Sequence, residues 1–569
     1  MAAMSWKIEN DPGLLVVSPP ESGRALCLCN HAPHLFPKSK STYEESWVSS
    51  ISTVSDIHFE GDRYLIRADY LAGGKHIQSH SLSVLSDTRL GIDAGYYLKS
   101  LYENPPGKEP LLSATGGLPL ALTQRIETDL RTLEKLRIKP VFVFSGLIPQ
   151  KRWKNVHSQL IHEQNEACRD RANGWSRYEN GQEEAATKLF EIRTGLHQWD
   201  LWRMVLRIFR HRNVEFIVAP YLAWAQASAV HSLHVSICLT ILQLIYLQRH
   251  PKSYIHAIYG PTDTLLYPGV DKLVISIDLL ASEPTFNYIS KRNIMTDLGV
   301  TEENFLDIGI LVGFDHSPPF PPSMHEQGLK ATVDMVKYYK SGQAAVAAFG
   351  DHPAVKTTQY PDQYARSRAM VKYSLILSSE GTVLPLPLAI TTSTPPSSSQ
   401  GNNHHPPPHH HPTAADIPLD LHEIFTHRLP DEIYYYLSRG LLGPQALVWL
   451  TTGQIYEGPP LDNGETTEYR RFVKEVITEG QTGPRATTLA LISSVCHNFW
   501  VNRKVTPYFW FEQPTSPTHP TKALVAHNST QTSQLVDRVG GWMVPSTLVE
   551  EELRRQNVSI TFGICVLRR

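Results

Sequence analysis

Three aspartates stand where an open α/β sheet gathers its chemistry. Asp93 ends the run Leu90-Gly-Ile-Asp93, Asp263 sits in Gly260-Pro-Thr-Asp263-Thr-Leu-Leu-Tyr267, and Asp315 follows Leu311-Val-Gly-Phe314. In such sheets ligands bind in the crevice outside the carboxyl ends of the strands. Carboxylates converging there can hold two Mg2+ ions about 4 Å apart for in-line attack on a phosphodiester, because Mg2+ prefers octahedral oxygen ligands. Each aspartate also has a plain structural role open to it. Asp93 can cap the helix that follows, and the other two can be loop acids. The order of the three along the chain, rather than any one of them, carries the signal.

These residues need elements to position them, and the hydrophobic pattern supplies candidates. Apolar runs at Leu90–Ala94, Pro140–Phe144, Val214–Val218, Tyr254–Tyr259, Lys272–Ile277 and Asp307–Val312 read as strands buried on both faces. Between them Leu122, Ile126, Leu130 and Leu133 recur at helical spacing, and a second helix covers about Leu201 to Arg210. Strands alternating with helices predict an α/β domain over 83–389 with a mostly parallel sheet. Residues 1–82 form an extension of low readability, with short β-like runs such as Tyr64–Ala68. A Pro-, His- and Ser-rich stretch over 390–418 cannot bury apolar surface and reads as a linker. Beyond it, 419–569 reads as a mostly α-helical domain with turns at Gly443-Pro444 and Gly483-Pro484.

Composition bounds the function. The chain has 569 residues, 41% hydrophobic and 19% charged, which is room for several cores. Lys plus Arg number 53 against 55 for Asp plus Glu, a net charge of −2. Coating nucleic acid by bulk charge is excluded, and any such contact needs a local patch. One candidate is Lys151, Arg152, Lys154, Arg169 and Arg171, interleaved with Trp153, Trp175 and Tyr178, which could hold single-stranded RNA by charge and stacking. Glu163, Glu166, Glu179, Glu183 and Glu184 offset those bases, so a solvated helical insertion explains the same residues. The 6 cysteines are scattered, without zinc-ligand spacing. No secretory signal is visible, and the most apolar stretch, Leu233–Leu247, is too short for a bilayer. A cytoplasmic protein with no membrane partner is expected.

Read together, Leu90-Gly-Ile-Asp-Ala94, Pro140-Val-Phe-Val-Phe-Ser-Gly146, Val218-Ala-Pro-Tyr-Leu-Ala-Trp-Ala-Gln226, Ala257-Ile-Tyr-Gly-Pro-Thr-Asp263 and Ile308-Gly-Ile-Leu-Val-Gly-Phe-Asp315 resemble the XPG/flap-endonuclease superfamily. Their order is that of its N and I regions, a PIN-like fold. The closer resemblance is to the fungal "maintenance of killer toxin" regulators, the MKT family, whose C-terminal helical domain is similar to the stretch beginning Leu419 to Trp449. The resemblance implies a post-transcriptional regulator of mRNA translation that touches mRNA directly or indirectly. It also implies an ataxin-2-like, poly(A)-binding-protein-associated partner. The departures bear on chemistry. Ser145, Leu222, Trp224 and Pro261 stand where active relatives carry acids, leaving Asp93, Asp263 and Asp315 as vestiges. The expectation is a pseudo-nuclease scaffold with no cofactor. The alternative is a divergent structure-specific endonuclease, acting on DNA or RNA, that holds Mg2+ through those three aspartates.

The apolar run at 227–243 interrupts a connection that the resemblance makes short. Back-translation allows a splice donor at Val230 and an acceptor at Gln243, so this insertion reads as a retained intron. The same explanation extends to residues 1–82 and to an end at Arg569 that is expected to be truncated.

Overall fold

The computed structural model describes residues 76–512 with breaks, the longer ones at 148–165, 222–237 and 394–424, and a last strand at 524–525. Its centre is a seven-stranded sheet built from β1 (Ile77–Ser81), β2 (Arg89–Asp93), β3 (Lys139–Phe144), β4 (Glu215–Val218), β5 (Ala257–Tyr259), β6 (Lys272–Asp278) and β7 (Thr285–Ser290). The spatial order is β1-β7-β6-β5-β2-β3-β4. Strands β6, β5, β2, β3 and β4 run parallel, while β7 and β1 are added antiparallel at one edge. The expected α/β, mostly parallel architecture is what the chain adopts.

Helices α1 (Ala94–Glu103), α2 (Leu120–Lys135), α3 (Gln198–His211) and α4 (Cys238–Arg249) cover the sheet. Leu122, Ile126, Leu130 and Leu133 are the buried stripe of α2, at the spacing one helical face requires. Packing of α4 over the sheet depends on Gly91. A Cβ there would come within 2.3 Å of Ile255 and 2.8 Å of Leu244.

The run expected as a sixth strand, Asp307–Val312, is instead the end of a helix, α5 (Glu302–Val312). Thr301 caps it, its hydroxyl accepting from the Asn304 N–H at 3.2 Å, with Glu302 and Glu303 in the first turn. Phe305, Leu306, Ile308, Ile310 and Leu311 are all buried, so the helix is apolar on every side. Such a helix cannot be told from a buried strand by periodicity alone. It lies among α6 (Gly328–Tyr339), α7 (Gly342–Ala348) and α8 (Tyr360–Tyr373). A hairpin of β8 (Leu375–Leu377) and β9 (Val383–Pro385) follows.

The C-terminal unit contains α9 (Asp431–Ser438), α10 (Pro444–Thr452), a helix over 467–478 and α11 (Pro484–Ser494). Pro444 and Pro484 open their helices, as Pro can at a first turn where no intrahelical N–H bond is lost. Helices predominate, but they frame a small sheet that no sequence pattern announced. Strand β10 (Gln454–Glu457) pairs in parallel with β11 (Lys504–Phe509), which pairs antiparallel with β12 (Leu524–Val525). Among the described residues no helix is long and apolar enough to cross a membrane. The extension before residue 76, including Tyr64–Ala68, and the linker core over 394–418 lie outside the described residues.

The helical layer is held by a buried carboxylate. Asp307 is 1% exposed; it accepts from the Tyr364 hydroxyl at 2.7 Å and from the Gly342 N–H at 2.8 Å, and pairs with Arg368. Arg368 and Lys372 both reach Glu303 one turn away. Removing one partner of a buried pair leaves the other uncompensated. Asp307→Ala is therefore expected to cost about 3–5 kcal/mol in urea unfolding. Asp351→Ala, which breaks only the exposed pair with Lys356 at 2.9 Å, should leave the midpoint unmoved.

Candidate functional site

The chain leaves β2 towards β3 and β4 on one side and returns through β5 and β6 on the other. The gap between β2 and β5 is therefore the point at which the connections part, where open sheets form their ligand crevice. Register places the candidates there. Ile92 pairs with Tyr259 and Asp93 with Val143, so Gly260 and Ser145 follow at the same edge. A Cβ on Gly260 would lie 3.7 Å from the Asp93 Cβ and 3.4 Å from the Thr264 hydroxyl. Asp263 sits in the 3-10 turn Thr262–Leu266, which Pro261 precedes, and is 5% exposed. Asp93 and Asp263 thus share one edge of the sheet. Asp315, Leu222 and Trp224 lie outside the described residues.

Asp93 is 1% exposed and held on both oxygens. Its Oδ1 accepts from the Tyr96 N–H at 2.9 Å, three residues on, which is the pattern of an N-cap for α1. Its Oδ2 accepts from the Thr240 hydroxyl at 2.5 Å. Burial pushes its carboxyl up to about 6, and hydrogen bonds from Thr240, Tyr96 and Gly95 work against that rise. A carboxylate that points at protein donors is poorly placed as a ligand for a hydrated cation. Half-buried Ser145 and buried Pro261 supply no carboxylate. Among the described residues no three His, Cys, Asp or Glu side chains come together to hold a metal. The described donor set does not fit the pair of Mg2+ ions that phosphodiester cleavage on this edge would use, and no reaction step follows from it.

Thr240 is the site residue that sequence reasoning missed, because it lay inside the run 227–243 expected to be an insertion. Residues 227–237 fall outside the described part of the chain, but Thr240 to Gln243 belong to α4 and are buried. The Gln243 side chain donates to the Leu377 carbonyl at 3.0 Å and accepts from the Leu377 N–H at 2.9 Å, so it holds β8 like a ladder partner. Tyr246 accepts from the Ser379 N–H at 2.8 Å one turn later. These residues are structural parts of the domain. The available signal was the unbroken helical run Leu239-Thr-Ile-Leu-Gln-Leu-Ile-Tyr246.

The ends of β3 and β4 are closed together. Leu147 donates to the Pro220 carbonyl at 3.1 Å, and a Cβ on Gly146 would fall 1.9 Å from the Ala219 carbonyl oxygen. Tyr221, the last described residue of the Ala-Pro-Tyr run, is then used for docking. Its hydroxyl hydrogen-bonds that of Tyr434 on α9, and its ring lies 4.7 Å from Phe425. Burial raises Tyr434 to about 12 and Tyr221 higher still, so both hydroxyls stay protonated. Arg210 donates to the Gly440 carbonyl at 2.9 Å, and Asp431 accepts from the Val383 N–H at 3.1 Å. The C-terminal unit is seated on the β4 end of the sheet.

Of the basic candidates, Arg169 is exposed, whereas Arg171 is 6% exposed and faces inward, where burial pulls its guanidinium down. Lys151, Arg152 and Lys154 lie outside the described residues.

Comparison with known proteins adds descent to this geometry. Residues 418–511 match the MKT1_N family, described as "Temperature dependent protein affecting M2 dsRNA replication". A post-transcriptional regulator MKT1 from Cryptococcus neoformans var. grubii is 40% identical over 502 residues, which cover 88% of this chain and 60% of that protein. The MKT1 of Saccharomyces cerevisiae is 23% identical over 473 residues, 70% of this chain and 54% of that one. The chain thus spans little more than half the length of these curated relatives. Among solved structures, the catalytic core of Rad2 in complex with DNA substrate aligns with 55% of this chain and 81% of its own at 13% identity and a TM-score of 0.33.

The environment of Asp93 has a measurable consequence. A carboxyl with a folded-state value of about 6 against an ordinary 3.8 binds a proton in the folded chain that the unfolded chain has lost. Its contribution is favourable below about pH 4, declines as pH rises to about 6, and is flat above. A rise of this size corresponds to about 3 kcal/mol. Asp93→Asn keeps the shape without the charge. It should raise stability at pH 7.5 by up to about 3 kcal/mol and leave it nearly unchanged at pH 4. Urea titrations at the two pH values decide this, and an equal effect at both would refute the assignment.

Proposed function

We propose that this chain, homologous along most of its length to the MKT1 post-transcriptional regulators, is a non-catalytic scaffold in cytoplasmic control of mRNA. The observation that carries the reading is Asp93. The best-placed carboxylate at the sheet's switch point is consumed by the Thr240 hydroxyl and the Tyr96 N–H, so the edge is closed by the protein itself. Docking of α9 beside β4 uses a further part of that edge as an internal interface. What remains is a rigid α/β body joined to a C-terminal unit rich in aromatic side chains, which suits holding partners rather than turning over substrate. The partner in this reading is an ataxin-2-like, poly(A)-binding-protein-associated protein, and contact with mRNA is direct or passes through that partner.

Two measurements test it. Purified protein should cleave neither flap DNA nor RNA with Mg2+ or Mn2+ above a background that Asp93→Ala leaves unchanged. One ion cannot stabilise both the attacking and the leaving oxygen. Cleavage that vanishes in both Asp93→Ala and Asp263→Ala would overturn the scaffold reading in favour of the endonuclease. Deleting residues 419–569 should abolish co-purification of the ataxin-2-like partner. Full binding by the remaining chain would take the partner site away from the C-terminal unit.

A further inference from the structure

The C-terminal unit carries aromatic surface that its seat on the sheet does not use. On the helix over 467–478, Tyr469, Phe472 and Val476 recur at spacings of three and four and are 41%, 47% and 52% exposed. Tyr469 leans on Trp510 with ring centroids 6.2 Å apart, and Trp510 meets Phe511 edge-on at 4.7 Å. Both Trp510 and Phe511 are half-buried, so part of each ring continues the surface begun by Tyr469. The loop before the helix is shaped to lie against the indole. Gly464 has φ +57°, and a Cβ there would stand 2.8 Å from both Pro460 and Trp510.

Charge decides which kind of partner fits. Exposed aromatics with free cations would suit single-stranded nucleic acid, but the cations here are engaged. The Arg470 guanidinium donates to the Gly464 carbonyl at 2.8 Å and lies over the Phe511 ring at 5.7 Å. Lys474 pairs with Glu512, and Arg471 with Glu475 at 2.9 Å. Glu468 and Glu479 add further carboxylates along the same helix, so four acids face three bases. A phosphate chain is repelled by that balance, whereas an uncharged extended segment is not. Flat Tyr and Trp faces side by side on rigid elements are the surface on which pyrrolidine rings of a polyproline-II helix pack. Such a ligand arrives pre-ordered and loses little entropy on binding.

We propose that the surface formed by Tyr469, Phe472 and Trp510 docks a proline-rich segment of a partner protein in the polyproline-II conformation. This deepens the scaffold reading above and rests on it.

The test uses the full chain and a fluorescein-labelled decaproline peptide, followed by fluorescence anisotropy. Binding is expected, weakened about tenfold or more by Tyr469→Ala and by Phe472→Ala, and kept by Phe472→Tyr. Tyr338→Ala, at a side chain 78% exposed on α6, should change nothing. Thermal melts should show all four variants folded, since none of the altered side chains is buried. Equal binding of a Gly-Ser peptide of the same length, or decaproline binding unchanged in both alanine variants, would overturn the proposal. Displacement of decaproline by oligo(U) would overturn it in favour of RNA, and a dimer abolished by both alanine variants would do so in favour of self-association. Nuclease activity in the purified chain would sink the scaffold reading by itself, while the decaproline titration is judged on its own arms.

Discussion

The Thr240 hydroxyl reaches Asp93 because α4 lies over β2, β3 and β5 and ends its packing at the carboxyl edge of the sheet. That hydrogen bond has to form once the helix is in place. A buried carboxylate left without donors carries a desolvation penalty of several kcal/mol, and the N-cap bond from Tyr96 satisfies only one oxygen. Helix position, the raised carboxyl of Asp93 and the closing of the crevice are therefore one constraint seen from three sides. Gly91 belongs to it as well, since any side chain there would lift α4 off the sheet.

The rest of the edge follows the same logic of buried polar groups finding protein partners. Gln243 completes the backbone of Leu377, and Asp431 and Arg428 serve the two backbone groups of Val383. Tyr221 and Tyr434 satisfy one another across the seam between the sheet and α9. Because β8, β9 and α9 are tied through side chains to helix α4 and strand β4, segments far apart in sequence converge on one region. In the helical layer Asp307 does the same for α5, α7 and α8. In the C-terminal unit Glu457 accepts from both sides of the Arg485 guanidinium at 2.7 and 3.0 Å and from Thr478 at 3.1 Å, with Arg485 stacked over Trp449. Each region is centred on one buried acid whose lone pairs are filled by neighbouring elements.

Much of the central sheet could be read directly. Runs such as Pro140–Phe144 and Lys272–Ile277 are apolar without alternation, which a strand covered on both faces demands, and their limits fall within a residue of β3 and β6. The antiparallel additions β1 and β7 escaped notice because His80, Ser79, Asn287 and Thr285 carry no apolar run. Strands β10 and β11 were hidden for a different reason. Each is short and flanked by helices, and only pairing between residues some fifty apart makes them strands. Asp307–Val312 was misassigned because total burial erases the period that separates helix from strand.

The sequence alone determined which residues stand at strand ends, and with them that Asp93 and Asp263 share an edge, because strand order and chain direction follow from local pattern and parallel connectivity. It also showed that Ser145 and Pro261 offer no carboxylate. What only the tertiary structure decided is whether the remaining acids face outward. Asp93 points at Thr240, a residue 147 positions away, and no local signal encodes a hydrogen bond between groups so far apart in the chain. Orientation of a buried polar side chain is set by which donors surround it, and those donors are assembled only when helices pack on the sheet.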